Sequence, residues 1–284
     1  MSKDASMTLR AAIVLSALLA AGAARADIVV KRVTADVATA DPSAKYWQGV
    51  SESTVVLMAQ PMVVPRPALV QTSAVTVQAV HDGKRIAFRL RWKDTERNEA
   101  GRLGEFSDAA AVQFPLKPGD VPPPVMMGMK GNPVHIFHWR AQYQRDRERG
   151  KPTMRDLYPN LSIDMYPLEF KDAQGATETE RDRFSPGRAE GNPQSYAKTG
   201  VDEIVAEGFS TSSVQSGHGG TATGAWKNGE WTLVLVRPLA VEGGSTLKEG
   251  GKGFAAFAVW QGGKSEVGSR KSVTMTWTPV VVSK

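Results

Sequence analysis

The sequence contains no cysteine. Cysteine thiolates form disulfides, hold iron–sulfur clusters, serve many zinc sites and anchor c-type haem through a C-x-x-C-H motif. This chain can therefore supply none of these from its own residues. With seven tryptophans and 41% hydrophobic residues, it is long enough to bury one large core without disulfides.

Long apolar runs are also missing, apart from one at the N-terminus. Lys3 and Arg10 flank the start of the segment at 11–24 (AAIVLSALLAAGAA), and Ala24-Arg25-Ala26 fits the small-x-small rule for signal cleavage. We expect residues 1–26 to be a secretory signal peptide and residues 27–284 to form a single domain in the periplasm. The apolar segment is too short to span a bilayer comfortably, so no membrane span is expected after cleavage.

The basic residues form no concentrated block. The formal net charge is +6, and it falls to +4 without the expected signal peptide, which holds three basic residues and one acidic residue. Lysines and arginines are scattered, and no Lys/Arg block with interleaved aromatic residues appears. This distribution argues against a nucleic-acid partner.

The motifs of common catalytic sites are absent. The sequence has no G-x-S-x-G elbow and no G-x-x-x-x-G-K-[ST] phosphate loop. Of the four histidines, we expect His81 in a turn and His218 in a Ser/Gly-rich loop to be solvated. His135 and His138 lie on one predicted strand at a spacing that places them on opposite faces, so they cannot jointly chelate one metal, although one of them could face a cofactor.

Alternating apolar and polar residues dominate the chain and predict many short strands. Asp82-Gly83 and Asn228-Gly229 are typical hairpin turns. The predicted strands are Ala74–Val80, Arg85–Trp92, Ala109–Pro115, Val134–Trp139, Thr221–Lys227, Trp231–Arg237, Gly253–Trp260 and Ser272–Thr278. The pattern predicts an all-β protein, an antiparallel β-sandwich with a few short helices and long loops.

Three other segments complete this prediction. Val201–Gly208 is predicted as a two-turn helix ending at Gly208. Arg140–Arg149 is a charged run that either extends a strand or forms a short surface helix. Ser51–Pro67 carries three prolines and is at best an edge strand or an extended loop, and residues 171–198 are expected to form a long surface loop.

Three methionines, Met126, Met127 and Met129, surround Gly128 after a run of three prolines. A cluster of this kind can fill a gap in a core, since methionine is flexible and apolar. A thioether is also a recognised axial ligand of haem iron, and a glycine lets the backbone approach a large flat cofactor. Near the C-terminus, Lys264 and Lys271 lie in a turn-rich connection where lysines are usually solvated, and an amine ligates iron only when it is deprotonated.

Several short motifs, taken in order, resemble a known family. They are Asp108–Pro115, Met127-Gly128, Pro133–Trp139, Asp156–Asn160, Met165–Leu168, Ala189–Pro193, Ala206–Thr211, Gly229–Trp231, Arg237–Leu239, Ala258–Trp260 and Arg270–Ser272. The sequence is similar in these motifs to the haem b-binding gamma subunits of type II DMSO reductase family enzymes. Those enzymes are ethylbenzene dehydrogenase, dimethyl sulfide dehydrogenase, selenate reductase and chlorate reductase.

This resemblance implies a β-sandwich that binds one non-covalent haem b between a methionine and a lysine. Carried over to this sequence, the axial ligands fall on Met127 and Lys271, with Met129, Met126 and Lys264 as alternates. The resemblance also implies a periplasmic electron-transfer subunit that is not itself an enzyme. Its implied partners are a molybdopterin catalytic alpha subunit, an iron–sulfur beta subunit and a soluble cytochrome or similar carrier.

Two other functions fit the same sequence. One is a non-redox periplasmic ligand- or carbohydrate-binding β-sandwich, since exposed tryptophans on such folds stack on sugars. The other is a stand-alone haem protein without molybdenum partners. Phe137, Trp139 and Trp260 are candidates for packing near a haem pocket or for ordinary core positions.

Overall fold

The computed structural model describes residues 27–99, 102–150, 152, 154–160, 190, 200–215 and 219–284. The expected signal peptide at 1–26, His218 and most of the expected loop at 171–198 lie outside these residues.

Strands form most of the described chain. They are β1 (Ile28–Arg32), β2 (Ser53–Val56), β3 (Met58–Ala59), β4 (Ala74–His81), β5 (Arg85–Lys93), β6 (Ala109–Pro115), β7 (Val134–Arg140), β8 (Val201–Ala206), β9 (Ser213–Gln215), β10 (Thr221–Lys227), β11 (Glu230–Pro238), β12 (Lys252–Trp260), β13 (Ser272–Val273) and β14 (Thr278–Val282). The helices are α1 (Ala141–Arg149), α2 (Met154–Leu157) and the 3-10 turns Lys45–Trp47 and Gly262–Lys264.

The strands form two layers that share β12. The first layer has the order β10-β11-β5-β4-β1-β14, with β2 also paired to β4. The second has the order β12-β6-β7-β8-β9, and β13 and β3 extend it beyond β12. Residues 252–255 of β12 pair with β14, whereas residues 256–260 pair with β6.

This arrangement confirms the predicted all-β sandwich-like fold. One feature differs from the prediction of purely antiparallel strands, because β1 pairs in parallel with both β14 and β4. The parallel pairing joins strands that are far apart in the sequence, so no local turn motif indicates it.

The main core lies between the two layers. Trp92 and Trp231 from the first layer stack at 6.2 Å between ring centroids, and Trp139 from the second layer meets Trp231 edge-on at 5.1 Å. Phe137 and Trp139 are fully buried in this core. Of the two alternatives for these residues, the structure supports ordinary core positions, because their strand turns both side chains towards the opposite layer.

The two predicted hairpins are confirmed. In the second, Lys227 pairs with Glu230, and both Asn228 and Gly229 have positive φ (52° and 75°). This is the backbone that a two-residue hairpin loop requires. In the first, the carboxylate of Asp82 accepts hydrogen bonds from the backbone N–H groups of Lys84 and Arg85, at 2.8 and 2.7 Å.

Two other expectations are wrong. Residues 201–206 form β8, paired between β7 and β9, and not a helix. Its apolar residues at 201, 204 and 205 imitate a helical stripe, but pairing on both sides supplies the backbone hydrogen bonds of a strand. His81 is fully buried at the end of β4 rather than solvated.

The structure also decides the conformation of the segments for which the sequence allowed alternatives. Most of the charged run at 140–149 is the helix α1, and the proline-bearing segment at 51–67 contains the short strands β2 and β3. The last predicted strand, Ser272–Thr278, is divided into β13 and the start of β14.

Candidate functional site

The outer face of the second layer carries small apolar residues in the middle of the sheet. Across β3, β13, β12, β6 and β7, one row of directly paired residues is Met58, Val273, Ala258, Ala111 and His138. The next row on the same face is Ala256, Gln113 and Ile136. Because alanine side chains end at the β-carbon, these rows leave a shallow apolar trough on the sheet.

A cleft lies above this trough and encloses about 50 Å³. Both of the methionines Met126 and Met127 line it, as does Lys271. The remaining lining residues are Gln60, Ala111, Gln113, Val125, Ile136, Ala256, Phe257, Ala258, Trp260 and Val273. The structure thus brings together two segments separated by more than a hundred residues, and they are the two that carry the predicted ligands.

Met127 has a backbone conformation that is rare for its residue type. Its φ is +65°, in the left-handed region, where a residue other than glycine costs on the order of 1 kcal/mol. Two hydrogen bonds hold it there: its N–H donates to the Val125 carbonyl at 2.9 Å, and its carbonyl accepts from the Gly208 N–H at 2.8 Å. Such strain persists only where the surroundings fix it, and it concentrates at functional positions.

The rest of the methionine loop is tied to the cleft walls. The indole N–H of Trp277 donates to the Pro123 carbonyl at 2.6 Å, and the Gln113 amide donates to the Val125 carbonyl at 2.8 Å. Gly128 is buried, and a β-carbon there would lie 2.6 Å from the Asn132 carbonyl oxygen. The loop is therefore held against the sheet by the residues that flank Met127.

The two alternate methionines lie in different surroundings. Met126 lines the cleft, and its sulfur lies 3.9 Å from the Gln60 side-chain amide nitrogen, which occupies it with a weak hydrogen bond. Met129 is 49% exposed and forms a tight turn with Asn132 outside the cleft lining. Of the three, Met127 and Met126 have access to the cleft.

Lys271 is not the solvated lysine that its turn-rich segment suggests. The side chain is half-buried, and desolvation lowers the pKa of its ammonium group to about 8. The ammonium form still predominates at pH 7, but the neutral amine is more accessible than in a solvated lysine. Its Nζ lies 4.9 Å from the centre of the Trp260 ring. Within the described part of the chain, no carboxylate pairs with it. Its backbone carbonyl accepts a hydrogen bond from the Gln60 N–H at 3.0 Å, which fixes the segment at the cleft.

The alternate Lys264 is placed elsewhere. It ends the 3-10 turn after β12, its side chain is 43% exposed, and its Nζ lies 3.8 Å from a carboxylate oxygen of Glu96. It does not line the cleft.

The two histidines of β7 face opposite sides of the sheet, as their spacing predicts. His138 lies on the cleft side, with its ring centre 4.8 Å from that of Trp260. Burial lowers its pKa to about 3, so it is neutral, and its Nε2 has no hydrogen-bond partner among the described residues. His138 is not itself a lining residue, but it contacts Trp260 and pairs with Ala111, which both line the cleft.

His135 lies in the core instead. Its Nδ1 is 3.1 Å from the Ser245 hydroxyl, and its Nε2 is 3.7 Å from Glu203. A serine, a histidine and a carboxylate therefore meet, but His135 is fully buried and Ser245 nearly so. A substrate cannot reach this cluster, which agrees with the absence of a hydrolase motif.

Sequence reasoning missed the floor of the cleft and its two glutamines, Gln60 and Gln113. The floor had a visible signal: β6 begins with three consecutive alanines at 109–111, and β12 has alanine at 255, 256 and 258. Where such alanines face outward from the sheet, their short side chains leave space above it. Gln60 follows an isolated two-residue strand, for which no pattern exists.

Two features are absent from the described residues. No helix there is long and apolar enough to cross a membrane. No group of three or more histidine, cysteine or acidic side chains is placed to hold a metal ion. A methionine and a lysine lie outside that set of ligand types.

Among solved structures, the chain is similar to a carbohydrate-binding protein from Bacteroides uniformis. The match has 10% sequence identity and a TM-score of 0.44, and it covers 90% of this chain and 98% of the other. At this level of similarity, the match carries no argument about the ligand.

Curated relatives match over most of the chain. A respiratory nitrate reductase heme subunit from Haloferax mediterranei is 25% identical over 87% of this chain and 70% of its own length. The chlorate reductase gamma subunit from Ideonella dechloratans is 26% identical over 84% and 77%, respectively. The dimethylsulfide dehydrogenase gamma subunit from Rhodovulum sulfidophilum is 25% identical over 84% and 73%.

A family model described as ethylbenzene dehydrogenase matches residues 44–272. This range includes the methionine loop, the alanine floor and Lys271. The chain therefore belongs to the ethylbenzene dehydrogenase family.

Proposed function

We propose that this chain is an electron-transfer subunit that binds one haem b non-covalently, with Met127 and Lys271 as the axial ligands. The relatives named above are heme and gamma subunits, and none is named as a catalytic subunit. The observation that carries the proposal is the convergence of a methionine and a half-buried lysine on one apolar cleft.

The donor atoms have the chemistry that haem iron requires. A thioether is neutral and polarizable, so Met127 can donate from an apolar cleft without a charge to compensate. An amine donates only when deprotonated, and burial already shifts Lys271 towards that state. Because the chain has no cysteine, these two donors and the cleft walls must hold the group without a covalent bond.

The size of the cleft adds a requirement. Ligand pockets usually enclose roughly 300–1,000 Å³, whereas this cleft encloses about 50 Å³. The floor is a paired sheet with continuous ladder hydrogen bonds, whereas the methionine loop is held by a few hydrogen bonds from Trp277, Gln113 and Gly208. The loop is therefore the wall that can move once those bonds break. We therefore infer that this loop swings outward on binding and that Met127 closes the open side.

Once bound, haem supplies a one-electron couple between ferric and ferrous iron. The protein sets the balance of that couple through its own groups. Met127 favours the ferrous state, Lys271 favours the ferric state, and the alanine floor excludes water from the face that it covers. Trp260 packs against both Lys271 and His138, and this packing fixes the Lys271 side chain in the cleft wall.

The partners and location also belong to this proposal. We infer that the chain works in the periplasm after removal of residues 1–26. There it passes electrons between the iron–sulfur beta subunit of a molybdenum oxidoreductase, whose alpha subunit carries the molybdopterin, and an external carrier. The support is the set of gamma subunits among the relatives and the lack of cysteine ligands here.

Cofactor content tests the proposal first. The full sequence, including residues 1–26, is expressed in haem-replete bacteria and the protein is purified from the periplasm. We expect a Soret band and a haem that acidified organic solvent extracts completely. A colourless protein, or a haem that stays with the polypeptide, contradicts the proposal.

Matched substitutions then test the ligands. Met127→Leu and Lys271→Gln should each remove the low-spin spectrum. Met129→Leu and Lys264→Gln change the same residue types at exposed positions outside the cleft and should leave it intact. Normal low-spin spectra in the first pair would refute the residue assignment while leaving the cofactor assignment standing.

A further inference from the structure

A second cleft lies beside the first one and carries positive charge. It encloses about 310 Å³, and its basic side chains are Arg66, Lys264 and Arg270. We call it the basic cleft. Its other lining residues are Pro65, Pro67, Ala68, Leu69, Gln71, Ser265 and Glu266.

The positive charge of the basic cleft is largely uncompensated. Neither Arg66 nor Arg270 forms an ion pair with any residue that the structure describes, and Lys264 reaches Glu96 only at 3.8 Å. The one acidic lining residue, Glu266, is turned inward: its carboxylate accepts hydrogen bonds from the Gln261 N–H and the Ser272 hydroxyl. Three cations therefore face solvent across an open concave surface.

Apolar side chains stand among these charges. Leu69 in the lining is 71% exposed. Val64 and Val267, which adjoin lining residues in the sequence, are 92% and 46% exposed. Isolated exposed apolar residues are common, but these lie next to a charged concavity. Apolar and charged side chains occur together in transient protein interfaces.

The basic cleft adjoins the proposed haem site through consecutive residues. Arg270 lines the basic cleft and Lys271 lines the haem cleft. The two walls are joined by short contacts: the Thr72 N–H donates to the Ser272 hydroxyl at 3.0 Å, and the Gln60 N–H donates to the Lys271 carbonyl at 3.0 Å. A redox partner seated in the basic cleft would be one residue away from an axial ligand.

From these observations, and resting on the proposed haem function, we propose that the basic cleft docks the acidic face of a small soluble electron-carrier protein. Contacts of this kind are small and dominated by charge, which favours fast association and release. A permanent subunit contact is larger and more apolar. The charge of the basic cleft therefore implies a partner with an acidic face, and the small size of the cleft implies a transient contact.

Electron transfer to two blue copper proteins tests the proposal. Reduced holoprotein is mixed in a stopped-flow instrument with plastocyanin, which has an acidic patch, or with azurin, which lacks one. The haem band and the copper band are followed separately. The cleft variant, R66Q/K264Q/R270Q, removes the three positive charges of the basic cleft. The control variant, K31Q/K84Q/K227Q, removes three positive charges from exposed lysines of the other layer.

We expect the rate with plastocyanin to fall with ionic strength and to fall roughly tenfold in the cleft variant, the lower end of known steering effects. The control variant should keep the wild-type rate with plastocyanin. Electron transfer to azurin should proceed at the same rate from the wild type and from both variants. Equal rates of the cleft variant and wild type with plastocyanin would overturn the proposal. So would a cleft variant that reacts normally with plastocyanin but binds an iron–sulfur subunit poorly.

Failure of the proposed function has a different signature. A protein without haem shows no Soret band before mixing, whereas an error in the docking proposal leaves the spectrum normal and changes only the rates.

Discussion

Replacing Gly128 with alanine should weaken haem binding by displacing the methionine loop. Gly128 has a φ of +72°, which costs an alanine about 1 kcal/mol. The new β-carbon would also lie 2.6 Å from the Asn132 carbonyl oxygen and 3.3 Å from Val134 Cγ1, so backbone atoms must shift. Overpacking of this kind costs about 1–3 kcal/mol. The sum of about 2–4 kcal/mol sets an upper limit of about 30-fold to several hundred-fold on the loss of haem affinity, which is reached when the cost falls wholly on the haem-bound state.

Gly131→Ala provides the matched control within the same turn. Its φ is +81°, but nothing lies within 4 Å of the added β-carbon. It should therefore carry only the conformational cost, about fivefold in affinity. The assay is a titration of apoprotein with haem followed at the Soret band, with thermal unfolding measured in parallel. Equal haem affinities of the two variants would refute the assignment of this loop to the binding site.

Three further predictions concern the floor, the core and pH. Ala111→Leu should fill the trough and lower haem affinity at least about tenfold, whereas Ala225→Leu at an exposed position should not; haem titration of both variants tests this. Arg237 is fully buried, and its guanidinium donates to the Ser245 hydroxyl at 2.6 Å and the Leu239 carbonyl at 3.0 Å. Arg237→Met should therefore lower the urea-unfolding free energy by about 3 kcal/mol, and a change below about 0.5 kcal/mol would contradict this. Burial, together with the neighbouring Asp108, raises the pKa of Asp94 to about 7. Its protonated form is thus favoured in the folded state, and this stability is full below about pH 4 and is lost as the pH rises through about 7. Asp94→Asn should flatten this dependence and stabilise the protein at pH 8 on the order of 2 kcal/mol; an unchanged profile of unfolding free energy against pH would contradict it.

Local chemistry explains what the sequence could predict about the fold. Gly83 and the Asn228-Gly229 pair specify their hairpins because these tight turns need positive φ. Asp82 contributes through its carboxylate, which accepts hydrogen bonds from the turn N–H groups. Alternation locates the strands that have one polar face. The residues of β8 satisfy a helical pattern equally well, so only pairing with β7 and β9 decides its conformation. The parallel pairing of β1 depends on strands distant in sequence and could not be predicted locally.

The sequence likewise predicts only part of the candidate site. The chemistry of methionine and lysine indicates the residue types that can ligate haem iron, and the family resemblance favours Met127 and Lys271 over their neighbours. Sequence alone could not place them on one cleft, because their approach depends on β6 and β12 being neighbours. Nor could it show that Lys271 is half-buried and desolvated while Lys264 is exposed, since the two lie in one connection and differ only in what packs over them.

The position of His81 illustrates the limit of reasoning from neighbours in sequence. A histidine beside Asp82-Gly83 looks like part of a solvated turn. The packing of β1 and the C-terminal segment covers it, and its Nε2 lies 3.4 Å from the Ser283 hydroxyl. A contact across about two hundred residues buries a side chain that its local sequence would leave in water.

The central claim is that one sulfur and one amine ligate the same iron. Near-infrared magnetic circular dichroism of the ferric holoprotein tests it most directly, because the charge-transfer band of low-spin ferric haem reports its axial pair. We predict the band of a methionine–amine pair for the wild type and a shift to that of a methionine–histidine pair in Lys271→His. A wild-type band typical of two histidines, or an unchanged band in Lys271→His, would contradict the claim.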